Sequence, residues 1–209
     1  LSYLDPEPDP SIVNPARLEA PRSAEVCGRC HAVLLFPDAA LEEIDAFGVP
    51  HRPGESLEES GLIVVRNEFQ DPDAFWPDGK IRLIGREYTA LLESECFAGG
   101  ELSCVSCHTM HAEEEGPGDF GNWASDQLAA GMDGDAACVQ CHAALATDIE
   151  AHTRHPAASS GSRCMNCHMP FGAIGLRKVE RPHGIDSPSV ATALASGRLN
   201  ACNACHLDK

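Results

Sequence analysis

The sequence predicts a mainly α-helical fold with extensive irregular loop, one with too few aromatic residues for an ordinary core of its size. Three observations predict it. A five-residue pattern recurs as Cys27-Gly-Arg-Cys30-His31, Cys104-Val-Ser-Cys107-His108, Cys138-Val-Gln-Cys141-His142, Cys164-Met-Asn-Cys167-His168 and Cys202-Asn-Ala-Cys205-His206. Aromatic residues make up only 5% of the 209 residues, too few to fill an ordinary core of this size. Apolar spacing is helical over 82–97, whereas the extended reading is confined to a short piece at 61–66.

The pattern C-x-x-C-H is the attachment signature of a c-type haem. With 11 Cys and 10 His in the chain, chance predicts about 0.03 copies. Each haem carries two vinyl groups, and each can form a thioether with a cysteine. Two intervening residues let both sulfurs reach one porphyrin edge from a single helical turn, and the next His then lies under the ring as an iron ligand. Zinc sites also use C-x-x-C pairs but do not need a His directly after each one. A disulfide framework fits less well, because ten of the eleven cysteines fall inside motifs. The sequence therefore predicts five covalently bound haem c groups, so that the porphyrins supply much of the buried apolar surface. The expected attachment residues are Cys27, Cys30, Cys104, Cys107, Cys138, Cys141, Cys164, Cys167, Cys202 and Cys205. Cys96, the remaining cysteine, reads as a small buried apolar residue; an odd cysteine also allows a reactive thiol or an intermolecular disulfide.

The histidine count predicts the type of haem. Five histidines lie in motifs: His31, His108, His142, His168 and His206. Five lie outside: His51, His111, His152, His155 and His183. Five irons need five second ligands, so the equality predicts bis-His, six-coordinate haems throughout. His111 follows His108 by three residues and shares its helix face, so it should ligate a neighbouring haem. His152 and His155 repeat that spacing and are expected on one helix face near its end, serving two neighbouring haems. His183, in Arg-Pro-His-Gly, sits in a rigid loop suited to a distal ligand. His51, in Val-Pro-His-Arg-Pro, is the weakest of the five: a surface loop residue, or a ligand to a haem of another molecule. Methionine is the competing ligand, and Met110, Met132, Met165 and Met169 are the candidates. Met165 lies between its motif cysteines and cannot reach the far side of its own haem, and Met169 precedes Pro170 and reads as packing.

The net charge of −17 makes nucleic acid and anionic membrane surfaces poor partners. It suits steering toward a basic patch on a redox partner. Glu113, Glu114 and Glu115 read as a solvated loop. No run approaches the ~20 apolar residues of a membrane span. The chain begins at Leu1 without Met, which reads as a mature form or a piece. Covalent haem attachment takes place outside the cytoplasm, so a periplasmic or extracellular location is expected.

Residues 1–26 are rich in Pro and acidic residues and read as an extended arm. Residues 27–209 read as a single pentahaem domain. Within it, 27–100 hold the first motif, an insertion and a helix, and 101–209 hold the other four motifs. A short helix is expected at 38–46, a turn-rich loop at 71–80 and a helix at 82–97 stopped by Gly99 and Gly100. Successive motifs are separated by steps of 77, 34, 26 and 38 residues, so there is no regular repeat. Asp135 reads as the N-cap of a helix running into the third motif. Ser187 and Pro188 open another helix, ended by Gly197. Asn200 caps the last motif turn.

Several stretches resemble a known group. They are Val13-Asn-Pro15, Gly-Glu-Leu-Ser-Cys104-Val-Ser-Cys-His-Thr-Met-His111, His152-Thr-Arg-His155 leading into Cys164-Met-Asn-Cys-His-Met-Pro170, Arg181-Pro-His183 and Asn200-Ala-Cys-Asn-Ala-Cys-His206. Together they resemble the multihaem c-type cytochrome module associated with tetratricopeptide repeats, related to pentahaem nitrite reductases and tetrahaem cytochromes. Members often carry further haem motifs upstream and tetratricopeptide repeats downstream, and this sequence has neither. The resemblance implies a chain of close-packed bis-His haems and an electron-transfer role. Partners would be other multihaem cytochromes or redox proteins, or further copies of the chain in an extracellular filament. The alternative is a soluble periplasmic shuttle. A nitrite or hydroxylamine reductase would need an iron with an open position. The related nitrite reductases use Lys in place of the motif His there, and no C-x-x-C-K occurs.

Overall fold

The computed structural model describes residues 12–65, 71–109, 127–173 and 179–207. The described residues are helix-rich with few strands, and every regular element is short. A 3-10 turn at Pro15–Arg17 is capped by Asn14, whose side chain accepts from the Ala16 N–H at 3.0 Å. Helix α1, Ala20–His31, follows with Pro21 in its first turn, where a missing N–H costs nothing. The chain is thus helical from Ala20, where its Pro and acidic content reads as an extended arm up to residue 26. A 3-10 turn at Asp38–Ala40 leads into α2, Leu41–Phe47, which Gly48 ends at φ 81°.

Two small cores hold this part together. In the first, Ala24 and Ala32 meet Leu57, Leu62 and Tyr88, with Val49, Leu92, Phe97 and Cys104 around them. Ser23, Ala24 and Gly28 form the buried face of α1, following the helical period. A Cβ on Gly28 would stand 2.8 Å from Tyr88 Cδ1 and 3.0 Å from Leu57 Cδ1, so only glycine lets the first-motif helix lie this close. The second core joins Val65, Ala74, Phe75, Ile81 and Ala90. Strands β1 (Leu34–Leu35) and β2 (Ile63–Val64) pair antiparallel between them, as expected for 61–66. The turn-rich segment 71–80 is closed by a bridge between Phe75 and Ile81.

The helix expected at 82–97 is broken. It forms as α3, Glu87–Leu91, and α4, Glu95–Ala98. The cause is Ser94, buried to 1% exposure, whose hydroxyl accepts from the Cys96 N–H at 3.2 Å and starts a new helix.

From residue 101 onward the character changes. Elements α5 (Ala136–Val139), α6 (Ile149–Thr153), α7 (Cys164–His168) and α8 (Val190–Ser196) are joined by loops, with β3 (Gly172–Ala173) pairing β4 (Val179–Glu180) antiparallel. Helix α8 is capped by Ser189, two residues later than Ser187, and ends at Gly197 with φ 75°, as expected. Among the described residues after 100, Ala193 alone is a buried hydrophobic residue, whereas Phe171, Val179, Val190, Leu194, Leu199 and Leu207 are exposed. The stretch with four motifs therefore lacks a protein core among its described residues. Among the described residues no helix is long and apolar enough to cross a membrane.

Candidate functional site

All five motifs fold as the single helical turn that their spacing requires. The first ends α1, and the fourth is α7 itself. The second and fifth lie on 3-10 turns at Cys104–Ser106 and Cys202–Ala204, and the third runs out of α5. In these three the His N–H donates to the carbonyl of the first cysteine at 2.9 Å, for His108, His142 and His206 alike. Each turn carries both cysteines and the histidine within five consecutive residues. Asn200 holds the last turn, its side chain accepting from the Cys202 N–H at 2.8 Å, as expected.

The motifs follow one another in space in their sequence order. The Cys104 thiol donates to the Cys27 sulfur, which lowers Cys27 to about 7 and pushes Cys104 up. Burial, and then the nearness of Cys138 and Cys141, pushes Cys107 up. The Cys164 thiol donates to Cys138; burial, then the charges of Cys138 and Asp135, push Cys164 up to about 12. Cys167 in turn feels Cys202 and Cys205. Each motif thus touches the electrostatic field of the next.

Three motif histidines face three of the non-motif histidines. The ring centres of His108 and His183 are 6.0 Å apart, those of His152 and His168 6.2 Å, and those of His155 and His206 6.0 Å. The planes diverge by 28°, 11° and 40° respectively. A metal ion between two imidazoles holds each nitrogen at about 2 Å, and each ring centre lies about 1 Å further back, so the centres stand about 6 Å apart. The spacing fits an iron bound from both sides.

Hydrogen bonds to backbone carbonyls fix two of these rings. His168 Nδ1–H donates to the Asp186 carbonyl at 2.8 Å, and His155 Nδ1–H to the Thr153 carbonyl at 2.7 Å, which leaves each Nε2 free for a metal. Burial pushes His183 down, so its ring stays neutral, as ligation requires. His152 and His155 do not share a helix face. Helix α6 ends at Thr153, and Arg154 adopts the left-handed conformation with φ 60°. That turn sends the two rings to different partners, the outcome that the shared face was expected to give. The His155 N–H donates to the Thr153 hydroxyl at 3.2 Å, and Ser162 donates to the His155 carbonyl at 3.0 Å.

Among the described residues no second imidazole faces His31 or His142 in this way. His111 and Met110 lie outside the described residues, as do Glu113, Glu114 and Glu115. His51 is not a surface residue: it is 2% exposed, its Nε2–H donates to the Glu55 carbonyl at 3.0 Å, and its buried Nδ1 has no hydrogen-bond partner. A buried ring is poorly placed to serve another molecule, while its bare Nδ1 is the kind of nitrogen a metal takes. The Met165 and Met169 carbonyls both accept from Arg181 at 2.7 Å, a contact that ties the fourth motif to the Arg181-Pro-His183 loop. Cys96 is half-buried.

Sequence reasoning missed Glu87, Asp135 in its actual role, Arg154 and Gly161. Glu87 accepts from His31 Nδ1–H at 2.6 Å. A Cβ on Gly161 would stand 2.5 Å from His155 Cδ2. Among the described residues no three His, Cys, Asp or Glu side chains group closely enough to hold a metal ion by themselves. A haem iron asks less of the protein, because the porphyrin supplies four of its six nitrogens. No known protein family, curated protein or solved structure matches this chain.

Proposed function

We propose that this chain is a pentahaem c-type cytochrome that carries electrons and has no substrate of its own. The observation that carries the reading is the pairing of His108 with His183, His152 with His168 and His155 with His206 at iron-spanning distance. Bound haem would supply a one-electron iron couple at each site, and the contacts of Cys27 with Cys104 and of Cys138 with Cys164 set successive motifs side by side. The chain's own residues do the rest. The motif thiols would hold the groups in sequence order, the pairs His108–His183, His152–His168 and His155–His206 would hold three of the irons, and the carbonyls of Asp186 and Thr153 orient the rings of His168 and His155. The exposed apolar residues of the second half supply surface for the porphyrins to cover.

The proposed location is extracellular or periplasmic, where covalent haem attachment takes place. Partners are other redox proteins or further copies of the chain. Stacking into a filament would use the last motif, whose Cys202, Cys205 and His206 are exposed, and the first, whose His31 side chain is 55% exposed. Electron micrographs showing only monodisperse particles would rule the filament out and leave a soluble shuttle.

The test of the central reading is haem content by mass and pyridine haemochrome, with low-temperature EPR of the oxidised protein. Five haems per chain, all low-spin, are expected. Eleven free thiols, or a zinc-loaded chain, would overturn it.

A further inference from the structure

The ligand imidazoles differ in what accepts their second proton. His168 and His155 donate to neutral backbone carbonyls, those of Asp186 and Thr153. His31 donates to a carboxylate, Glu87, at 2.6 Å. Glu87 is held firmly for this. It is the first residue of α3, and the four residues after it, Tyr88, Thr89, Ala90 and Leu91, are all buried. Its other oxygen accepts from the Gly85 N–H at 3.0 Å, across a turn in which Gly85 takes φ 73°. The neighbouring Arg86 reaches back to the Cys30 carbonyl at 3.2 Å and so ties the same turn to the first motif. The Glu87 side chain is 31% exposed, so its charge is only partly screened.

A carboxylate on the outer nitrogen of a ligand imidazole raises the ring's basicity, and the added electron density stabilises ferric over ferrous iron. A neutral carbonyl does this less. We propose that Glu87 is a positioning residue that sets the potential of the first-motif iron below those of the fourth and fifth. The asymmetry gives the series a direction, away from the first motif. This rests on the electron-carrier reading above.

The experiment is a redox titration of the haem-loaded full chain, followed by absorbance and EPR, in wild type, Glu87→Gln and Glu87→Asp. Gln keeps the size and an accepting oxygen but removes the charge, and Asp keeps the charge. One low-lying midpoint should rise in Glu87→Gln while the others hold, and Glu87→Asp should stay nearer to wild type. Independently of any variant, the oxidised wild type should show one low-spin signal with a narrower spread of g values than the rest, the mark of a strongly basic imidazole. Unchanged midpoints in a Glu87→Gln protein with all five haems overturn the proposal, and so does an equal shift at every site. If Glu87→Gln takes up fewer haems, the wild-type EPR decides: a narrowed signal supports the proposal and its absence overturns it. A wild type without covalent haem overturns the electron-carrier reading itself, and haem content shows this before any variant is compared.

Discussion

The carboxylate of Asp135 caps the helix that carries Cys164. Its Oδ1 accepts from the Cys164 backbone N–H at 2.9 Å, and its Oδ2 accepts from Arg163 at 3.0 Å. Asp135 stands at the N-cap position of α5, where its pattern places it, but its side chain makes no cap there. One residue thereby couples the third motif to the fourth, and it does so beside the thiols of Cys138 and Cys164.

Replacing Asp135 by Ala should cost about 1 kcal/mol, the usual worth of an N-terminal cap. The effect should also depend on pH. Burial opposes the charge of Asp135, but the Cys164 N–H and Arg163 outweigh it and hold the carboxyl below its ordinary 3.8. A group with a lowered pKa in the folded chain contributes fully above its unfolded value and loses that contribution as pH falls through the folded one. Thermal melts of wild type and Asp135→Ala should therefore differ above about pH 4 and converge below it. A gap that stays constant down to pH 2 would show that the cap does not act through its charge.

Gly161 leaves room for the His155 ring. A Cβ there would meet Cδ2 at 2.5 Å, Cγ at 2.6 Å and Nε2 at 3.0 Å. Gly161→Ala should push the ring off its place opposite His206. The fifth-motif thioethers are untouched, so haem content should stay at five while one site turns high-spin in EPR. An all-low-spin spectrum would mean that His155 does not ligate there, or that the ring moves freely.

Arg154 holds φ 60° between His152 and His155, a conformation that costs most residues about 1–2 kcal/mol and glycine almost nothing. Arg154→Gly should keep or slightly raise stability and keep both sites low-spin. Arg154→Val should lose about 1 kcal/mol, because a branched side chain tolerates this conformation least, and should disturb the fourth and fifth sites together. Chemical denaturation with EPR on the same samples distinguishes the two.

These positions show what can and cannot be read from the chain alone. The motif turns are legible because the C-x-x-C-H pattern fixes residue identity and spacing at once, and local signals place Gly197 and Asn200 correctly. The pairing of His108 with His183 was not, because it joins residues far apart in sequence and depends on how Arg181 ties its loop to the Met165 and Met169 carbonyls. The helix at 82–97 was read as continuous because its apolar spacing is, and the buried Ser94 hydroxyl overrode that spacing. The close approach at Gly161 leaves no trace in composition or period. Glu87 lies 56 residues from His31, so nothing local marks it as a partner.

The pairing itself can be tested by removing sites in combination. His152→Ala should turn one of the five haems high-spin, and so should His183→Ala and His155→Ala, each at a different site. A chain lacking the fourth haem through Cys164→Ser and Cys167→Ser should show four low-spin signals. Adding His152→Ala to that chain should change nothing further, because the iron His152 serves is already gone. Adding His183→Ala or His155→Ala should still create a new high-spin site. If His152→Ala instead opens another iron in the four-haem chain, the 6.2 Å approach of His152 to His168 does not mark an axial pair, and the electron path proposed for the second half must be redrawn.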